Sequence, residues 1–132
     1  MKPIKANKIK LVLIEETFAV AQLEKGSSFP HWATEGELWS ITATKDEISI
    51  VCLQSIVPAE VKSEKGWRCL KVDGILDFSL VGILASLTLP LAQKGISIFA
   101  LSTYNTDYLF IKERDVDKAI TTLMNKGFEI LK

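Results

Sequence analysis

The chain has 132 residues, a formal net charge of zero and a hydrophobic fraction of 48%. This length fits one compact domain or two very small ones, and the composition argues against disorder. The balanced charge argues against nucleic acid or an anionic membrane as a partner, no apolar run reaches the roughly 18 residues of a membrane span, and no secretory signal pattern is present.

The first half of the chain predicts strands and little helix. Apolar periodicity predicts strands over residues 9–14 and 18–23, joined as a hairpin at the two glutamates between them. Two further strands over residues 38–44 and 47–54 form a second hairpin. A short helical segment is predicted to begin at Pro58.

The second half predicts six elements in the order strand, helix, strand, strand, helix, strand. They cover residues 67–72, 80–94, 96–101, 108–112, 115–126 and 128–131. Ser79 is a suitable N-cap for the first of these helices. This order is the ferredoxin-like βαββαβ pattern, in which two helices cover one face of a four-stranded antiparallel sheet.

The first half repeats this order more faintly, and no linker rich in Gly, Pro or Ser separates the halves. We therefore predict an α+β fold of two ferredoxin-like units in tandem. Residues 1–62 form a degenerate N-terminal unit, and residues 63–132 form the C-terminal unit. Either the first unit closes its own sheet with the strand at residues 67–72, or the two units exchange strands.

A polar loop, STYNTDY at residues 102–108, lies between two apolar strands and contains no glycine. Tight hairpins use two to five residues with Asn-Gly or Asp-Gly chemistry. The loop is therefore either a longer turn capped by side chains or one wall of a binding site. In the first case Asp107 caps its own turn through an Asx hydrogen bond, and in the second it binds a ligand.

Residues 82–123, GILASLTLPLAQKGISIFALSTYNTDYLFIKERDVDKAITTL, resemble an ACT domain, a small ligand-binding regulatory module of amino-acid metabolism. The likeness is to tandem ACT proteins related to aspartokinase regulatory regions and to the eukaryotic cytosolic arginine sensors. FAVAQL, ELWSITATKDEISIVC and GWRCLKVDGILDFS extend it over nearly the whole chain. The resemblance implies a free amino acid as ligand, bound in a cleft between the two units, a homodimer, and a regulated protein partner.

The resemblance places ligand binding on Gly82, Ile83, Thr103, Tyr104 and Asp107. The backbone at Gly82 and Ile83 would receive the ligand carboxylate at a helix amino end, where glycine allows close approach. Asp107 would pair with the ammonium group. Thr103 and Tyr104 would contact the ligand through main chain and ring.

Two other functions stay open, a structural or partner-binding ACT protein without a ligand and a small enzyme. Leu80 stands where the arginine sensors have a glutamate, which disfavours arginine as the ligand. We predict no catalytic residue, metal site or cofactor, because the single histidine belongs to no motif. Cys52 and Cys69 lie in strand-like runs, which is typical of buried thiols in a cytoplasmic protein.

Overall fold

The described chain contains seven strands, two α-helices and three single turns of 3-10 helix at His31–Ala33, Gln54–Ile56 and Glu113–Asp115. The computed structural model describes residues 9–76 and 81–132. The strands are β1 (Lys10–Glu24), β2 (Ser40–Ala43), β3 (Glu47–Leu53), β4 (Lys62–Val72), β5 (Ile98–Ser102), β6 (Asp107–Lys112) and β7 (Glu129–Leu131). The helices are α1 (Ile83–Gln93) and α2 (Val116–Asn125). The protein therefore has the predicted mixed α+β fold.

The described chain divides into two compact units, each with its own contacts. The N-terminal unit is Glu16–Trp67, and the C-terminal unit combines Arg68–Lys132 with the part of β1 that ends at Glu15. Strands β1 and β4 each run from one unit into the other. The sequence predicts a boundary between two repeats, at residues 62 and 63. The two compact units are instead defined by contacts between residues, so they do not test that boundary and it stays a prediction.

In the C-terminal unit, β4, α1, β5, β6, α2 and β7 follow one another in the predicted order. Hydrogen bonding arranges the strands as β7, β1, β4, β6, β5. The first half of β1 pairs in parallel with β7, with Lys10 opposite Glu129. On its other side, the Asp73 N–H donates to the Lys10 carbonyl over 2.9 Å. A strand from the start of the chain therefore lies between β4 and β7. The sequence analysis left open such an exchange of a strand between the two predicted units.

The core of the C-terminal unit lies between its sheet and its two helices. Its fully buried side chains include Leu11, Leu70, Leu87, Leu91, Leu109 and Leu123. In α2 the buried residues Val116, Ala119, Ile120 and Leu123 recur every three or four positions, which places them on one helix face. In β6, Phe110 lies between Leu109 and Ile111, so its side chain is on the opposite face of the sheet from theirs. There it stacks on Phe99 of β5, with ring centroids 4.5 Å apart.

In the N-terminal unit, β3 pairs with β2 on one side and with the second half of β1 on the other. The predicted hairpin over residues 38–54 is confirmed by the β2–β3 pairing. The predicted hairpin at Glu15 and Glu16 is wrong, because β1 continues through both residues. A two-residue hairpin turn needs positive φ angles, which glutamate does not readily adopt.

Three smaller predictions concern where a helix or strand begins. Helix α1 begins at Ile83, and the predicted N-cap Ser79 lies outside the described residues. Strand β4 begins at Lys62, earlier than predicted. The helix predicted from Pro58 is a single turn, closed by the Val61 N–H, which donates to the Pro58 carbonyl over 3.0 Å.

Both cysteines are fully buried and neither is in a disulfide. Burial raises the pKa of the Cys52 thiol to about 11. Burial also raises the pKa of the Cys69 thiol to about 12, against smaller lowering effects of a backbone hydrogen bond with Leu109 and of the Lys71 charge. Both thiols are therefore protonated at neutral pH, and the folded protein holds no thiolate nucleophile at either position.

We expect stability to fall as pH rises above about 8.5, where thiols of the unfolded chain ionise but those of the folded protein do not. Because the pKa values of the thiols are raised in the folded protein, the stability that they contribute is fully present below about pH 8.5 and is lost as the pH rises toward 11. Replacing Cys69 by Ala should reduce the slope of unfolding free energy against pH by about 1.4 kcal/mol per unit. Urea denaturation at pH 7, 9 and 10 measures it, and parallel slopes for the two proteins would contradict it.

Candidate functional site

A pocket of about 260 Å³ opens between the amino end of α1 and the turn that joins β5 to β6. The five predicted ligand residues, Gly82, Ile83, Thr103, Tyr104 and Asp107, all line it. Every lining residue belongs to the C-terminal unit. The structure therefore brings the five residues together, and their role in ligand binding stays a prediction.

The amino end of α1 faces this pocket with its backbone. Gly82 is the N-cap residue and has a φ angle of +79°. The first intrahelical hydrogen bond runs from the Ser86 N–H to the Gly82 carbonyl over 2.9 Å. The N–H groups before Ser86 consequently have no intrahelical acceptor, and the helix dipole adds partial positive charge at the same point. This end of α1 is suited to an anionic group.

Two threonines close the turn between β5 and β6. The Thr103 N–H donates to the Thr106 carbonyl over 2.9 Å, and the Thr103 hydroxyl donates to the same carbonyl over 3.1 Å. The Thr106 N–H donates back to the Thr103 hydroxyl over 3.3 Å. Side-chain hydrogen bonds thus replace the glycine chemistry of a tight hairpin.

Two longer-range hydrogen bonds attach this turn to the end of β4 and to the chain just after it. The Thr106 hydroxyl, on a residue only 3% exposed, donates to the Val72 carbonyl over 2.8 Å. The Leu76 N–H donates to the Asn105 carbonyl over 2.7 Å. Because both bonds join segments that are about 30 residues apart, they fix the position of the pocket wall.

The carboxylate of Asp107 lies at the first residue of β6. In β6, Asp107 shares its side of the strand with Leu109 and Ile111, which pack against the helices. The Ser102 hydroxyl donates to Asp107 Oδ1 over 2.5 Å, so the partner of this carboxylate is across the hairpin and not in an Asx turn. An ionised carboxylate accepts about four hydrogen bonds, which leaves acceptor capacity toward the pocket.

Tyr104 lies at the rim of the pocket and is 82% exposed. Sequence reasoning named the loop at residues 102–108 as one possible wall of the site but gave no individual role to Ser102, Asn105 or Thr106, which also line the pocket. It missed Leu76 and Leu84. Ser102 could have been found by counting the hairpin register, since it pairs directly with Asp107. Leu76 gives no local signal, because its place depends on the hydrogen bond to the turn.

Across residues 9–76 and 81–132, no group of three or more His, Cys, Asp or Glu side chains could hold a metal ion. Over the same residues, no helix is long and apolar enough to cross a bilayer.

The family model of the ACT domain matches residues 62–125, which contain the whole pocket. The chain belongs to the ACT domain family. A second family model, for an N-terminal domain, matches residues 16–60 of this ACT protein and nearly coincides with its N-terminal unit.

This ACT chain is similar to three known proteins. A protein from Agrobacterium tumefaciens with an X-ray crystal structure is 38% identical, with 93% of this chain and 92% of that chain covered and a TM-score of 0.88. The human "Cytosolic arginine sensor for mTORC1 subunit 1" is 26% identical over 98 residues, covering 66% of this chain and 30% of the human protein. The ACT chain thus spans about 30% of the length of the curated relatives it matches.

The ligand-free regulatory subunit of aspartate kinase from Thermus thermophilus shares the fold. Its TM-score is 0.60 at 10% identity, and the match covers 88% of this ACT chain and 95% of that subunit.

Replacing Gly82 by Ala should destabilise the protein by about 1–2 kcal/mol. A Cβ at this position meets no atom within 4 Å, so the cost comes from the left-handed backbone and not from a clash. Gly82→Asn should cost less, because asparagine tolerates this conformation better than alanine. Thermal and urea denaturation measure the stability of both variants. Equal stability of Gly82→Ala and the parent protein would contradict a left-handed backbone at Gly82.

Proposed function

We propose that this chain is a regulatory ACT module that binds a free amino acid in the pocket between α1 and the β5–β6 turn. One observation carries the proposal: a helix amino end and the Asp107 carboxylate line the same pocket of about 260 Å³. A free amino acid carries an anionic and a cationic group only a few ångströms apart. The pocket supplies a complement for each of them within the C-terminal unit, whereas the resemblance implies a cleft between the two units.

The amino acid would bind with its carboxylate at the amino end of α1. The N–H groups of Ile83 and Leu84 would donate to it, and the absence of a side chain at Gly82 would let the ligand reach the backbone. Its ammonium group would donate to Asp107, whose Oδ1 already accepts from Ser102.

The side chain of the ligand would meet a mixed surface. Leu76 and Leu84 supply apolar contacts, while Thr103 and Asn105 supply polar ones. The human relative's name raises arginine as a candidate, and the prediction that Leu80 disfavours arginine falls on a residue outside the described part of the chain. A screen of ligands must therefore include arginine together with smaller and apolar amino acids.

The proposal assigns no catalytic step to this chain, because the names of its relatives describe a sensor and a regulatory subunit. The name of the human relative places that protein in the cytosol, and we extend this location to the present chain. The alternative of an ACT protein without a ligand expects a filled cleft, and the open pocket favours ligand binding over it.

A thermal-shift screen of the purified protein against the twenty amino acids tests the function. A ligand at about 100 times its dissociation constant adds about 2.7 kcal/mol of stability, which raises the melting midpoint by several degrees. No shift with any amino acid at millimolar concentration would favour the alternative without a ligand.

Asp107→Asn should weaken binding of the amino acid found by that screen by about ten- to 150-fold, or about 1.5–3 kcal/mol. The amide keeps an oxygen that accepts from Ser102, so the turn should fold, but the charge that attracts the ammonium group is lost. Titration calorimetry measures the affinity. Asp117→Asn, on the exposed side of α2, is the matched control. Equal affinities for both variants would place the ligand elsewhere.

We also propose that two copies of the chain associate through β5. Strand β5 is at the end of the strand order, and its outer edge pairs with no strand among the described residues. Its sequence, IFALS, carries no charge or proline to discourage pairing with another chain. Sedimentation velocity should give twice the chain mass of 14.7 kDa. The mass of one chain across micromolar concentrations would contradict this prediction.

A further inference from the structure

The N-terminal unit carries a groove of about 1040 Å³, four times the volume of the pocket of about 260 Å³ in the C-terminal unit. All its lining residues lie within Glu16–Trp67, and none of them lines the other pocket. Its volume is at the upper end of the range for drug-sized ligands, well above what one free amino acid fills.

Trp32 supplies an aromatic surface in this groove. The residue is half-buried and packs on the hydrophobic core of the N-terminal unit, as do Leu23 and Val61, which also line the groove. This packing restrains the ring before any ligand arrives, so little side-chain entropy is lost on binding. Indole is the aromatic group that best attracts a cation placed over its face.

Three carboxylates line the same groove from three separate segments. Glu24 ends β1, Asp46 lies in the turn between β2 and β3, and Glu60 lies in the turn before β4. Lys25 and Lys62 also line it, so acidic side chains outnumber basic ones. None of these five exposed side chains forms an ion pair with another residue of the described chain. Their charges are available to a bound molecule.

We propose that this groove binds an extended segment of a partner protein and receives one arginine or lysine side chain between Trp32 and the carboxylates. A guanidinium or ammonium group there combines a cation–π contact with charge-assisted hydrogen bonds. The volume accommodates several residues of backbone on either side of that side chain. The proposal stands independently of the amino-acid site, since the two cavities share no residue.

The two lysines define which basic segments fit. Lys25 and Lys62 can donate to backbone carbonyls of the bound segment, and they repel a second positive charge beside the first. The groove therefore favours a single basic residue among neutral residues over a polybasic tract.

An NMR titration of ¹⁵N-labelled protein tests this with the acetylated and amidated peptide GSARAGS. We expect saturable shifts of backbone amides in residues 22–27, 46 and 58–62 and of the Trp32 indole N–H. The same peptide with glutamine in place of arginine should bind at least about five-fold more weakly. The absence of shifts in these residues would overturn the proposal. Binding of free arginine as tight as that of the peptide would also overturn it, because the groove would then be a small-molecule site.

Matched variants locate the contact within the groove. Trp32→Leu should weaken binding of the arginine peptide about two- to five-fold. The control is Trp39→Leu, because Trp39 is 42% exposed and lies outside the groove, and this variant should bind the peptide with unchanged affinity.

The carboxylates give a second test that leaves the core intact. Replacing Glu24 and Glu60 by Gln and Asp46 by Asn together should weaken binding more than about ten-fold, and the exposed control Glu37→Gln should not weaken it. These variants decide the matter if Trp32→Leu fails to fold. Equal losses in the groove variants and in the controls would overturn the proposal.

Discussion

Both hydrophobic cores depend on the uninterrupted course of β1. Its 15 residues are far more than the five or six of an average strand, so one strand serves two units. Leu11 contributes to the core of the C-terminal unit, and Ala19 and Ala21 contribute to that of the N-terminal unit. Because side chains alternate along a strand, a shift of β1 by one residue would remove all three from their cores at once. The register of this strand therefore matters to both hydrophobic cores.

The polar turn between β5 and β6 serves structure and chemistry with different residues. Thr103 and Thr106 hold the turn through their hydroxyl groups, and Thr106 also anchors it to the end of β4. Ser102 and Asp107 pair at its base, and Asp107 lines the same pocket as the amino end of α1. A tight Asn-Gly turn would satisfy the hairpin, but it would bring fewer side chains to this pocket. The cost of burying the Thr106 hydroxyl is offset by its hydrogen bond, which also makes the pocket wall rigid.

The two cavities differ in the physics that would recognise a ligand. The pocket of the C-terminal unit is small and combines a helix amino end with one carboxylate, which suits a zwitterion. The groove of the N-terminal unit is larger, combines an indole with a surplus of carboxylates, and suits a cation carried on a longer chain. In the proposed function the first cavity receives a metabolite, and in the separate proposal for the groove the second contacts a protein. A regulatory module needs both kinds of contact, because a bound signal has an effect only when a partner reads it.

The sequence by itself determined the element order of the C-terminal half, the β2–β3 hairpin and the chemistry of the turn, because apolar period and turn residues are local properties. Through its resemblance to the ACT domain it also identified five residues that line one pocket. Only the tertiary structure decided that β1 lies between β4 and β7, and that Leu76 and Thr106 complete the pocket. Those features depend on hydrogen bonds and packing between residues about 30 to 120 positions apart, and no local pattern encodes which distant backbone groups will meet.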